Sequence, residues 1–309
     1  MTKVLNITVQ AEDNDIRIDR WFKRNFPNFS HTSIEKALRK GQIRIDGKKS
    51  KSSTRVLEGQ EIRVPPMVEY EKKEKPKQQI DEKYIKEIRK SVLFKDDDII
   101  VINKQAGIAT QGGVGVKVSI DSLLEYLKFD YDSKPKLVHR LDKDTSGVLM
   151  LARTANAASN LTKQFKSKEI EKKYLAIVVG IPELDEGKID LSISKQDSGS
   201  GKEKMTVSSD GQKAITYYKI IEKIGKRLSV VELFPITGRT HQLRVHMSAI
   251  GTPILGDGKY GGKLAFIEGL NKKMHLHADE IKLPSYKKPF SAPISSNMLE
   301  TFNKLGIEY

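Results

Sequence analysis

The 309-residue sequence contains no cysteine. Disulfides, thiolate nucleophiles, iron–sulfur clusters and cysteine-type zinc sites are therefore excluded. Long apolar runs are missing too, and none approaches the roughly 20 residues a membrane helix needs. Apolar residues make up 38% of the chain, below the usual globular share yet above that of a disordered chain. The start, MTKVLNITVQAEDNDIRIDR, lacks the charged-then-apolar order of a secretory leader. Together these absences set the expectation of a soluble cytoplasmic protein. What is plentiful is positive charge: 55 Lys and Arg against 40 Asp and Glu, a net +15. Such a balance favours a polyanionic partner, nucleic acid before an anionic membrane face. A solvated basic surface is the plainer alternative.

Residues 1–66 are expected to form a small domain. Ile18, Trp21, Phe22 and Phe26 recur at helical spacing. Ser30 is placed to cap a second helix carrying Ile34, Ala37 and Leu38, which Gly41 ends. Ile43 and Ile45 alternate with Arg44, Asp46-Gly47 marks a turn, and Ile62 and Val64 mark a later strand. Arg39, Lys40, Arg44 and Lys48 cluster at the end of the second helix and on the turn, where they could track a phosphate backbone. Residues 67–91 are charged and read as a linker, with a helix possible from Asp81. Residues 92–309 carry compact apolar runs at Ile99–Ile102, Val148–Ala152, Tyr174–Val179 and Leu228–Leu233. Helical stretches fall at Ser119–Leu127 and Ala155–Phe165. The pattern predicts an α+β catalytic domain around a mixed, largely antiparallel sheet.

Two stretches could carry chemistry. In the first, LVHRLDKDTSGVLMLA at 137–152, polar groups stand between two apolar strands, as in a site on a rigid scaffold. A polar turn satisfying its own backbone is the competing reading. The second, FPITGRTHQLRVHMSAIGTPILGD at 234–257, gathers Arg239, His241, Arg244 and His246. The guanidinium of Arg244 could orient a carboxylate such as Asp142. Asp142 and Asp144 stand two apart, so in extended chain they face opposite ways and do not make a glycosidase pair. Ser146 with His139 or His241 lacks the G-x-S-x-G setting of a serine nucleophile. His275 and His277 share a strand face without an acidic or cysteine partner set, so no metal is expected. Gly112-Gly113-Val114-Gly115 completes neither dinucleotide nor P-loop spacing, and no nucleotide cofactor is expected.

The order RIDRWF, SHTSIEKALRKGQIRIDGK and LEGQEIRV resembles the S4 RNA-binding domain, implying a small α/β module. HRLDKDTSG at 139–147 resembles the signature of RluA-like pseudouridine synthases. KKYLAIVVG at 172–180, GQKAITYY at 211–218, TGRTHQLRVHMSAIGTPILGD at 237–257 and HLHA at 275–278 follow in that family's order. Within the family, the S4-like start and the GGVG segment point to the branch acting on 23S ribosomal RNA called type C; type D shares the S4 domain. Gln105 and Gln111 depart from the Pro and His usual there.

The resemblance implies conversion of uridine to pseudouridine in 23S ribosomal RNA or a large-subunit precursor. No redox step or group donor is needed, so no cofactor is expected, and a monomer is the default expectation. It implies that Asp142 is the catalytic carboxylate, acting at C1′ as nucleophile or at C2′ as base. Tyr174 would pack on the flipped base and Arg244 would partner Asp142. Arg140 would fill the vacated stack, with Leu243 as pocket floor. His139 and Arg239, with Arg39, Lys40, Arg44 and Lys48, complete the expected RNA-contacting set. The rival is a non-catalytic ribosome-assembly factor on the same fold.

Overall fold

A computed structural model describes residues 4–66, 80–113, 115–196 and 204–308. The chain divides into two compact units, 1–79 and 80–309. Most of the expected linker, 67–79, lies outside the described residues, as does Val114 of the GGVG segment.

The first unit contains β1 (Leu5–Thr8), β2 (Ile16–Arg17), α1 (Ile18–Asn25), α2 (His31–Arg39), β3 (Arg44–Ile45), β4 (Lys48–Lys49), β5 (Arg55–Val56) and β6 (Glu61–Val64). The Ser30 hydroxyl accepts the Ser33 amide, as a capping serine should. Trp21, Phe22, Ile34, Leu38, Ile43, Ile62 and Val64 share one core. The sheet order is β1-β6-β3-β4. Its register sets Arg44 opposite both Arg63 and Lys49, so three cations stand side by side across three strands. Like charges in direct opposition cost stability.

The second unit begins with α3 (Glu82–Lys90). The sequence places this helix in the linker, but Ile88, Tyr84 and Ile80 pack into the core of the second unit. The helix is therefore part of that unit, which starts before residue 92. Then come β7 (Val92–Lys95), β8 (Ile99–Lys104), α4 (Ile120–Leu123), β9 (Lys136–Leu137), β10 (Ser146–Ala152), α5 (Ala155–Ser167) and β11 (Glu171–Val179). The chain continues through β12 (Glu186–Asp190), β13 (Ile193–Gln196), β14 (Lys204–Val207), β15 (Ile215–Ile224) and β16 (Leu228–Pro235). It closes with α6 (Gln242–Ala249), β17 (Leu276–Lys282), β18 (Phe290–Ser291) and α7 (Ser296–Leu305). The expected helix over 119–127 is α4, capped by Ser119, running into a 3-10 turn at Leu124–Leu127.

A ten-stranded sheet carries the order β12-β15-β16-β11-β17-β10-β8-β7, with β9 on β10 and β18 on β17. Pairing is antiparallel except between β10 and β17. Both faces of its centre are covered, which explains runs buried at every residue. In β8, Ile100 and Ile102 join one cluster while Ile99 and Val101 join another. In β11, Ala176 and Val178 pack towards α6, and Leu175 and Ile177 towards α7. Gly147 is needed where β10 meets β17: its φ is +110°, and a Cβ there would overlap the Ala278 carbonyl. Among the described residues, no helix is long and apolar enough to cross a membrane.

Candidate active site

The loop 138–145 leads from β9 into β10 and carries Asp142. Its neighbours are held by two buried groups. The Thr110 hydroxyl donates to the Leu141 carbonyl at 2.7 Å and accepts the Leu141 amide at 3.1 Å. On the other side, the Lys104 ammonium donates to the carbonyls of Lys143, Ile108 and Gln105 at 3.1, 2.8 and 3.0 Å. Lys104 is 1% exposed. Burial pulls it down to about 7, against the pull of Asp144 and Asp142. The polar stretch is thus more than a self-satisfied turn, because both neighbours of Asp142 are anchored from a distant segment.

Arg244 comes from α6, so the QLRVH segment is helical. Its guanidinium forms a two-pronged contact with Asp257, Nε to Oδ2 at 2.7 Å and Nη2 to Oδ1 at 2.8 Å. The remaining Nη1 reaches Asp142 Oδ2 at 3.4 Å. Burial works against the Arg244 charge, but its hydrogen bonds to Asp257 and the charges of Asp257 and Asp142 raise it above its usual value. The carboxylates differ: Asp257 is 2% exposed and Asp142 17%. Asp257 acts as a fixed anchor, and Asp142 faces the space where a substrate would sit. Gly256, with φ +82°, permits this approach, since a Cβ there would overlap the Lys273 carbonyl.

His241 precedes α6 in the left-handed region, φ 55°, which a non-glycine residue adopts only under constraint. Its Nδ1 shares a 2.6 Å hydrogen bond with the Tyr260 hydroxyl, and Nε2 lies 3.9 Å from Asp142. Burial lowers its basicity, opposed by Asp142. The Arg244 guanidinium also lies 5.0 Å from the Tyr260 ring centre, a cation–π contact.

A cavity of about 620 Å³ opens over Asp142, in the mid-range for small-molecule sites. His139, Arg140, Asp142, Tyr174, Arg239, Leu243 and Arg244 all line it. Tyr174 lies opposite Ala278, next to a bulge in β17, and shares its strand face with Ala176 and Val178. Burial raises its phenol above the usual range, with Asp142 adding to the shift. A buried neutral phenol over a carboxylate, an apolar floor and a locked guanidinium can hold a planar polar ring and present one ionisable oxygen to it.

Comparisons with known proteins place this geometry. A family model described as RNA pseudouridylate synthase matches residues 98–249. Ribosomal large subunit pseudouridine synthase C of Rickettsia bellii is 39% identical over 90% of this chain and 92% of its own. RNA pseudouridine synthase 4, mitochondrial, of Arabidopsis thaliana is 33% identical over 93% and 78%. The structure of human RNA pseudouridylate synthase domain containing 4 superposes with TM-score 0.61 and 29% identity, covering 73% of this chain and 97% of that one. The chain belongs to the RNA pseudouridylate synthase family.

Seven of the expected residues thus meet in the cleft of this synthase. Arg39, Lys40, Arg44 and Lys48 lie in the first unit, all exposed. Arg44 also braces its own hairpin through the Gly41 and Gly47 carbonyls. His139 Nε2 accepts the Met150 amide at 2.8 Å and its ring stacks on Phe165. Burial, with Lys172 nearby, lowers it to about 3. It is a neutral group braced at the cleft wall, which it also lines. Ser146 pairs with neither His139 nor His241; its hydroxyl lies 2.9 Å from His277 Nδ1, away from solvent. His275 is likewise tied to Thr301 and Leu255. Among the described residues, no cluster of three metal-ligating side chains forms.

Sequence reasoning singled out neither Asp257, Tyr260, Lys104 nor Thr110. A signal for two of them existed. Gly256-Asp257-Gly258-Lys259-Tyr260-Gly261 has the spacing G-x-G-x-x-G, but it opens no long helix after a strand. Its glycines let Asp257 and Tyr260 close around Arg244.

Proposed function

We propose that this synthase isomerises uridines in 23S ribosomal RNA, alone or in a large-subunit precursor, with Asp142 as the catalytic carboxylate. The observation that carries the assignment is the Asp142–Arg244–Asp257 row beneath Tyr174 in one cleft. The substrate class, RNA of the large ribosomal subunit, follows the name of the Rickettsia relative. Isomerisation breaks the N1–C1′ bond, turns the base, joins C5 to C1′ and returns the C5 proton to solution while N1 gains one. No electrons leave the substrate and no outside group is added, so the reaction is atom-balanced without a cofactor.

Each residue has a task set by its surroundings. Arg244 orients Asp142, and Asp257 keeps Arg244 from following the substrate. Asp142 acts at C1′ or C2′, since its free oxygen faces the cavity in either route. Tyr174 packs on the base. Its phenol is held protonated, so the C5 proton leaves by relay through the hydroxyl, not by uptake onto a standing phenolate. Arg140, exposed at the rim, fills the gap left by the extruded uridine, offsetting part of the few kcal/mol that flipping costs. Leu243 forms the floor. The first unit, an S4-like module, contributes affinity through Arg39, Lys40, Arg44 and Lys48, whose charges meet phosphates. The synthase works as a monomer.

The test is direct. The protein is incubated with unmodified 23S ribosomal RNA without metal or cofactor, and pseudouridine is mapped by carbodiimide adducts and primer extension. New stops at defined uridines are expected. Tight binding without stops, on rRNA and precursor subunit alike, would instead support the assembly factor. Release of free uracil would show a nucleoside-cleaving enzyme.

A further inference from the structure

The cleft has a second lobe that the chemistry above leaves unused. Lys172 stands two residues before Tyr174 on β11, so both side chains leave the strand on one side, and both line the cavity. Lys173 between them faces the other way and is well supplied with partners: Asp279 at 2.9 Å, Glu280 at 3.0 Å and Glu232 at 3.6 Å. Lys172 is half-buried, and among the described residues no hydrogen bond or ion pair engages its ammonium. Burial pulls it down to about 8. An exposed lysine without a partner is ordinary. A half-buried one is disfavoured unless an anion joins it.

The rest of the lobe comes from α5 and its end: Thr162, Phe165, Lys166 and Lys168. Lys168 occupies the left-handed C-cap position, φ 64°, where glycine or asparagine is usual. Lys166 and Lys168 have a second explanation, because cations favour the carbonyl end of a helix. Lys172 is on a strand, and helix polarity gives it no such reason. Its other cleft neighbour, His139, is neutral and occupied by the Met150 amide. The lobe therefore offers one half-buried cation, two rim cations and an aromatic edge.

We propose that Lys172, with Lys166 and Lys168 at the rim, forms a phosphate subsite that seats a phosphodiester of the substrate RNA beside the uridine being isomerised. The inference rests on the RNA-isomerising reading of the cleft. A lysine suits this role because its ammonium is a point charge without a fixed fork, so it accepts a phosphate at many angles. The contact fixes how far the flipped nucleotide enters and makes Lys172 a determinant of substrate affinity and register, apart from the bond-making groups.

The test compares wild type, Lys172→Met and Lys172→Arg, each as the full chain, on 23S rRNA over a range of KCl. Lys172→Met should raise KM about tenfold with kcat within about twofold, and make the log-affinity against log-salt plot shallower by about one counterion. Lys172→Arg, which keeps the charge, should restore both. A fall in kcat with KM and salt slope intact would overturn the proposal and place Lys172 in the chemistry. Unchanged behaviour would overturn it as well. If the Met variant melts early, single methylphosphonate linkages around the mapped uridine replace it: one linkage should cost the wild type about tenfold in KM, and none doing so would refute the subsite. RNA affinity by filter binding needs no turnover. A wild type that makes no pseudouridine would thus sink the isomerase reading, while the salt slopes still decide on Lys172.

Discussion

The two units use positive charge in opposite ways. In the first, Arg44 and Lys49, both exposed, and the half-exposed Arg63 stand side by side across three strands. In the second, the cations that hold the catalytic carboxylate and its loop are buried and have assigned partners: Arg244 holds two carboxylates and Lys104 holds three carbonyls. Exposed charges act through the field they add up to, which salt screens. Buried ones act through geometry, which salt barely touches. The contrast teaches that net charge alone points to the partner and says nothing about the chemistry. Mutations should separate the two regions by which quantity they move.

Among the supporting groups, the largest effect should come from the guanidinium. Arg244→Lys keeps the charge but loses the fork on Asp257, and a carboxylate displaced by about 1 Å costs roughly 100-fold in rate. The expected result is a kcat drop of that order with RNA affinity unchanged, measured by single-turnover kinetics. A drop confined to KM would move Arg244 to the binding class.

Next comes Lys104→Met, which leaves the Gln105, Ile108 and Lys143 carbonyls without their donor. A buried polar group left unpaired costs about 1–3 kcal/mol, so a fall in Tm of several degrees is expected, with slower turnover because the Asp142 loop loosens. Unchanged melting would show that the ammonium contributes nothing to the loop.

His139 gives a pH test. Its folded value, about 3, lies below the ordinary 6.5. The unfolded chain therefore takes up a proton that the folded chain resists, and stability falls as pH drops from 6.5 towards 3. His139→Gln can still accept the Met150 amide and does not titrate there. Its Tm should decline less steeply with acidification than that of wild type. Parallel declines would show that other groups, such as the buried His275 and His277, account for the whole slope.

The smallest effect belongs to the first unit. Lys48→Gln should weaken RNA binding only a few-fold, flatten the salt plot by about 0.7 to 0.9, and leave kcat alone. A loss of kcat there would erase the division between the units.

Much of this molecule was legible in its residues. Ile18, Trp21 and Phe22 gave α1 by spacing, and Ser30 gave the start of α2. Apolar runs gave β8, β10, β11 and β16, and motif order brought Asp142, Tyr174 and Arg244 forward. What stayed hidden depends on distant pairing. β11 lies between β16 and β17, whose residues are far along the chain. Asp257 reads as a turn residue until the glycine before it lets it reach Arg244. Lys104 reads as the polar end of a strand, although it is among the most buried side chains. The charged segment before residue 92 shows a helix from Asp81 but not the unit it belongs to, because only Tyr84 and Ile88 of α3, with Ile80 just ahead of it, pack into the core of the second unit.

The central claim is that Asp142 performs the reaction while the cations around it position and bind. The measurement is a single-turnover time course of wild type and Asp142→Asn on 23S ribosomal RNA, each at saturating protein, with Kd taken from the same titration. The account predicts loss of turnover on the order of 10³-fold or more with Kd changed only a few-fold. Pseudouridine formed by Asp142→Asn at a rate near that of wild type would contradict it.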